Sequence, residues 1–271
     1  MIDLPSIRIG RRPGYAGGRV PDVRERWWMA GDPVASAWLS ALSATFPRGE
    51  AFFVASLDAV RRSLGGSLPD DVRAFNAQEG SHSREHAAFN RKLAAAGHDL
   101  SRIEARVVAL LAETVGRTPL QNLAATMALE HFTAIFAHDL LAHPGSLDGC
   151  EPGLAALWRW HAVEEIEHKA VAFDAFAMAA REIGPVRRYL LRVVTFLAVS
   201  VRFMTNRVID TLDLLGQGGV RGRGAWLGMA RFLLVRPGIL RRVAPAWLSY
   251  LKPGFHPWDR DDRQLLARAQ G

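Results

Sequence analysis

At 271 residues the chain can bury one good core, or one core with a smaller appendage, and its 49% hydrophobic and 23% charged residues are those of a globular protein. A single cysteine, Cys150, excludes an internal disulfide and a thiolate metal site. The net charge of +7 is uneven: residues 186–252 hold twelve Arg or Lys against two acids, net +10, while the rest holds 22 basic and 25 acidic residues, net −3. In that basic quarter the arginines are interleaved with aliphatic stretches, which suits an anionic membrane surface better than nucleic acid.

Met1 to Val20 is polar and rich in Gly and Pro, with no apolar stretch behind a charged start. It predicts a loose N-terminal arm and a cytoplasmic protein. Trp27, Trp28, Trp38, Leu39 and Leu42 recur at helical spacings and predict a short helix between Arg24 and Phe46. Phe46-Pro47 turns into a helix running to about Leu64, stopped by Gly65-Gly66. Pro69 with Asp70 and Asp71 opens a second helix to Ala96, and Gly97 supplies its C-cap. Ser101 N-caps a segment to about Val115, and Thr118-Pro119 starts a long helix to His143. After Pro152-Gly153 one helix is expected from Leu154 to Ile183, ended by Gly184-Pro185. Tyr189 to Met204 is mostly apolar, but Arg192 and Arg202 leave nine uncharged residues between them, too few for a membrane span of about 20. A Gly/Arg loop over 216–224 and a second aliphatic, basic segment, Trp226 to Leu251, follow. No segment alternates with strand period, so the chain reads as all-α. The expected divisions are an arm and short helix over 1–45, a bundle over 46–184 and a helical extension over 185–271.

Within the bundle one spacing occurs twice, Glu79-x-x-His82 and Glu165-x-x-His168, each preceded by a further acid, Glu50 and Glu130. Glu … Glu-x-x-His … Glu … Glu-x-x-His is the ligand set of a four-helix bundle holding two metal ions. Each carboxylate shares its helix face with apolar residues: Glu50 with Phe46 and Phe53, Glu79 with Phe75 and Phe89, Glu130 with Leu123 and Met127, Glu165 with Trp158 and Ala172. Four buried carboxylates need counter-charge, and no Lys or Arg shares these rows. Two divalent cations are the simplest source, and an oxygen and nitrogen set without sulfur suits iron first, with manganese or zinc as alternatives. His86 and His161 extend the faces by one turn, as extra ligands, as groups behind the ligands, or as core histidines. Glu164 competes with Glu165 for the ligand role. Glu85, His131, Glu167 and Lys169 fall off the rows and are expected to be solvated or at the rim. Asp174 is expected at the polar surface; Trp158, Trp160, Phe132 and Phe173 are expected in the core.

At Phe46-Pro47-x-Gly49-Glu50-x-Phe52-Phe53, Gln78-Glu79-x-x-His82-x-x-Glu85-His86, Ala128-Leu129-Glu130-His131-Phe132 and Trp158-x-x-His161-x-x-Glu164-Glu165-x-Glu167-His168-Lys169, the chain resembles a bacterial family of predicted metal-dependent hydrolases, a branch of the ferritin-like superfamily. Pro253-Gly254-Phe255-His256-Pro257-Trp258 also resembles the family. The resemblance spans nearly the whole chain and implies a ferritin-like four-helix bundle with a dinuclear site and extra C-terminal helices.

The leading expectation is an oxygen-activating di-iron oxidase or oxygenase acting on a hydrophobic or lipid-like substrate, peripheral to the inner membrane surface. The alternative is a hydrolase using a metal-activated water, with Glu164 or His161 as proton carrier. Non-catalytic iron binding ranks third. Nucleic acid is not an expected partner, a homodimer is consistent with the chain, and neither an electron donor nor a role for His256 is indicated.

Overall fold

A computed structural model describes residues 20–270. The expected N-terminal arm lies outside these residues except for Val20. Eleven α-helices follow in order: α1 (Pro33–Ser43), α2 (Phe46–Val60), α3 (Leu68–Ala95), α4 (Ser101–Ala112), α5 (Pro119–Ala142), α6 (Pro152–His168), α7 (Val171–Ala179), α8 (Pro185–Gln217), α9 (Gly222–Leu234), α10 (Ile239–Ser249) and α11 (Arg263–Gln270). The described residues contain no strand, and no helix is long and apolar enough to cross a membrane.

Helix ends follow local chemistry. The Asp32 carboxylate accepts from the amides of Val34 and Ala35 to start α1. Thr118 and Gln121 cap each other reciprocally at α5, with Pro119 behind the cap. Glu151 accepts from Leu154 N at α6. At the end of α3, Gly97 adopts φ +90, so that Gly97 N reaches Ala94 O and His98 N reaches Leu93 O. That left-handed turn satisfies the last carbonyls and is cheap only for glycine. Gly218 is required for a different reason: a Cβ there would meet the Trp27 ring at 2.1 Å.

Three boundaries differ from expectation. Residues before Pro33 form turns rather than helix, so the first helix begins at the Asp32–Pro33 signal. The expected helix from Leu154 to Ile183 is interrupted at Lys169-Ala170. No Gly or Pro announces this break; it falls where the Lys169 ammonium turns out to Asp262 and the carbonyl of Arg260. Ser101 is the first residue of α4 rather than its N-cap, and its amide is capped by Asp99.

α2 packs on α3 and α5, and α6 packs on α5 and α3. One hydrophobic cluster gathers Phe46, Phe89, Leu93 and Trp158; a second gathers Phe53, Phe75, Leu123, Met127 and Phe132. Read along α2 and α3, the ligand candidates fall between the two: Glu50 between Phe46 and Phe53, Glu79 and His82 between Phe75 and Phe89. The acids therefore form a polar layer in an apolar interior.

The C-terminal helices are fastened to these four. α8 packs on α1 and α5, α10 on α5, and α11 on α5 and α6. Several arginines of the basic quarter serve this purpose. Buried Arg207 donates to the carbonyl of Ala41 and pairs with buried Asp210, and Arg192 donates to the carbonyls of Tyr250 and Lys252. Part of the basic excess is thus internal structure rather than surface charge.

Candidate metal centre

α2 carries Glu50, α3 Glu79 and His82, α5 Glu130, and α6 His161, Glu165 and His168. All seven are buried, none more than 4% exposed. Three-residue helical spacing places Glu79 beside His82 and Glu165 beside His168 on inward faces. His168 Nε2 lies 3.2 Å from Glu79 Oε1 and 3.5 Å from both Glu130 Oε2 and Glu165 Oε2. His82 Nδ1 lies 3.5 Å from Glu165 Oε1 and 3.8 Å from Glu79 Oε1. His161 Nε2 is 2.9 Å from Glu165 Oε1. Two ligand groups result, Glu50–His82–His161 and Glu79–Glu165–His168, each with donor atoms within 4.8 Å of one another.

Among the described residues, the polar atoms that face one another here have no well-aligned hydrogen-bond partner: Glu50 Oε1, both oxygens of Glu79 and of Glu130, Glu165 Oε2, His82 Nδ1, His161 Nε2 and His168 Nε2. Burying so many such atoms together is costly, and cations or protons held among them would offset that cost.

The surrounding hydrogen bonds fix what the imidazoles present. Asn90 Nδ2 donates to Ser43 O, leaving Asn90 Oδ1 to accept from the Ser43 hydroxyl. Ser43 Oγ must then accept from His86 Nδ1–H at 2.9 Å. His86 Nε2 is left as an acceptor and takes the proton of His161 Nδ1 at 2.8 Å. His161 Nε2 consequently turns a lone pair into the site. Glu164 does the same for His82 by accepting at Nε2, 3.0 Å away, and Gln78 for His168 by accepting at Nδ1, 3.0 Å away. Three imidazole lone pairs and four carboxylates converge, and this donor set fits two divalent ions.

The electrostatics without a cation show the same demand. Burial, followed by repulsion from neighbouring acids, pushes Glu79 and Glu130 well above the usual carboxylate range, and burial pushes Glu50 up to about 8. Burial would lower His82, but its bond to Glu164 and the Glu165 carboxylate beside it outweigh that and push it up to about 10. Burial takes His161 down to about 4 and holds His86 well below the usual imidazole range, consistent with neutral rings in the relay.

Of the expected residues, Glu50, Glu79, His82, Glu165 and His168 fall in the two ligand groups, where His161 joins them; Glu130 belongs to neither group and reaches the site 3.5 Å from His168. His86 sits one ring behind His161. Glu164 is turned to the far side of His82, where Trp160 Nε1 also donates to it at 3.0 Å. Three expectations of solvent exposure are corrected. Glu167 is 4% exposed and bonded by Gln78, Lys169 is 5% exposed on Asp262, and His131 is 7% exposed on the carbonyl of Ala246. The stripe argument assumes one buried face, whereas α6 is enclosed by α3, α5 and α11 and α5 is covered by α8 and α10. Glu85 is half-buried, in keeping with a rim position, and Phe173 is half-buried rather than core. Asp174 is partly exposed and holds His256 at 3.1 Å, giving His256 a structural partner. Ser43, Asn90, Ser83 and Gln78 were not singled out as site residues. Ser83 donates to Glu50 Oε2 at 2.8 Å. Gln78 stands beside Glu79 in sequence, but nothing in the sequence pairs Ser43 with Asn90 across 47 residues.

A family described as "Predicted metal-dependent hydrolase" matches residues 19–261. The chain belongs to that family. No curated protein and no solved structure matches it. Membership in a metal-dependent family agrees with the two ligand groups; the identity of the metal is a separate question.

Proposed function

We propose that this metal-dependent hydrolase family member is a ferritin-like four-helix-bundle enzyme holding two divalent ions, iron or manganese before zinc, on Glu50, Glu79, His82, Glu130, Glu165 and His168. Its first reading is hydrolysis. The observation that carries the metal site is the convergence of three imidazole lone pairs and four carboxylates whose inward atoms have no well-aligned hydrogen-bond partner among the described residues. The family description moves hydrolysis ahead of the oxidation expected from the ligand set alone.

Two divalent ions held on these ligands would supply Lewis acidity and lower the pKa of a water for attack on an ester or phosphoester. His161 Nε2, which faces the site, would take up a proton there, with His161 Nδ1–H held by His86. Ser43 and Asn90 hold this pair in the tautomer that leaves Nε2 free. Gln78 and Glu164 orient His168 and His82. Two hydrophobic clusters exclude bulk water from both ends of the polar layer.

Oxygen activation is the second reading, and one observation favours it: His161 Nε2 lies within ligand distance of the Glu50–His82 group, so it can be a seventh ligand instead of a base. The chain would then be richer in anionic and imidazole donors than hydrolysis requires, and the metals would carry the oxidation.

The protein purified with its metals and offered p-nitrophenyl esters of graded chain length should cleave them in a metal-dependent manner without consuming oxygen. Anaerobic loading with ferrous iron followed by oxygen, with oxygen uptake and a near-ultraviolet band but no ester cleavage, would replace the first reading with the second. Absence of bound metal under both conditions refutes both.

A further inference from the structure

A cavity of about 500 Å³ lies between α2, α4, α5 and α8. This is within the range of about 300–1,000 Å³ usual for small-molecule sites. Its wall is mainly hydrocarbon, including Phe52, Phe53, Leu110, Leu111, Leu129 and Val199, and it includes the metal-ligand candidate Glu50. It extends from exposed Glu113, Arg117 and Arg202 to buried Phe46, Phe53 and Glu50. α4 and α8 are joined across it by ion pairs, Arg106 with Asp210 and Arg202 with Glu113.

Four arginines, Arg106, Arg117, Arg202 and Arg207, share the acids Asp210 and Glu113 around the cavity: Asp210 also takes Arg207, and Glu113 lies 3.9 Å from Arg117. Exposed valines flank these elements: Val108 on α4 and Val115 in the turn after it are 45% and 86% exposed, and Val194 and Val201 on α8 are 61% and 71% exposed. On α8 these valines are next to the lining residues Thr195 and Arg202, about 100° around the helix.

We infer that this cavity holds an unbranched aliphatic chain, the acyl or alkyl part of the substrate, with its reacting end toward Glu50 and its remainder leading out between α4 and α8. The inference rests on the proposed metal centre for the direction of the chain, and on the cavity alone for binding. Burial of hydrocarbon supplies the affinity, at about 25 cal/mol per Å² removed from water. Such a chain can arrive from a bilayer or as a monomer in water, and the two are separable by kinetics.

The test uses the full chain, with and without metals, titrated with the fluorescent fatty acid 11-(dansylamino)undecanoic acid. Saturable binding is expected in both forms, with dodecanol and dodecanoate each displacing the probe. Leu111→Trp and Ala198→Trp, which fill the cavity without touching a ligand residue, should each raise the probe Kd about tenfold. Val115→Trp, which adds the same ring outside the cavity, should leave Kd unchanged. Metal content should be unaltered in all three. No saturable binding, or binding insensitive to both filling variants, overturns the inference. Metal binding without chain binding refutes this inference alone, and chain binding without metal refutes the proposed function alone. Presented in anionic vesicles, the probe should transfer at a rate that rises with vesicle concentration if the source is a bilayer, and at a constant rate if it is free monomer.

Discussion

Glu50→Gln should stabilise the metal-free protein and leave the metal-loaded protein close to its parent's stability. Burial moves Glu50 from an ordinary 4.5 up to about 8 in the folded chain without metal. Below pH 4.5 both folded and unfolded chains hold the proton, and nothing is lost. Between pH 4.5 and pH 7 the unfolded chain releases it and the folded chain keeps it. Folded-state stability therefore falls as pH rises, by about 1.4 kcal/mol per pH unit, or roughly 3 kcal/mol at pH 7. Glutamine has no proton to retain, and its amide oxygen can still accept from Ser83. The metal-free variant should gain roughly 3 kcal/mol at pH 7, about 6–12 °C in Tm for a chain of this size, and close to nothing at pH 4.5. With metal present at about 100-fold over Kd, each bound ion adds about 2.7 kcal/mol to the native protein, and the variant forfeits most of that for the ion Glu50 holds. Urea unfolding in EDTA and in metal, each at both pH values, measures all four quantities. A metal-free variant less stable than the parent at pH 7, or one that gains equally at both pH values, would refute the reasoning.

Three further outcomes are expected. Glu130→Ala should lower bound metal below two per chain by elemental analysis; full occupancy would remove Glu130 from the ligand set. Gln78→Leu should weaken metal binding by about 10- to 100-fold, because His168 loses the acceptor that fixes its tautomer, with little change in the helical circular dichroism. Exposed Val186, Leu190, Val194, Leu197 and Val201 form one stripe along α8, so the chain should co-sediment with anionic vesicles at low salt and be released as salt rises. Val194→Asp should weaken that binding several-fold, and no binding at low salt would remove the membrane surface as a partner.

The repeated Glu-x-x-His spacing, the two preceding acids and the apolar residues sharing their faces sufficed to predict helices and the six converging side chains, because helical period alone decides which residues share a face. Helix starts at Asp32-Pro33 and Thr118-Pro119 and the stop at Gly97 are equally local in origin. Tertiary structure decided what depends on which helices meet. It enclosed α6, so that Glu167 and Lys169 are buried although they lie off the ligand stripe. It turned Glu164 to the far side of His82 and brought His161 into the centre, a role that helical spacing leaves open. It built the relay from His161 to Asn90 out of α1, α3 and α6, and it left a gap between α4 and α8 that no one helix encodes. Period describes one helix at a time, whereas enclosure, tautomer and cavity are properties of several helices packed together.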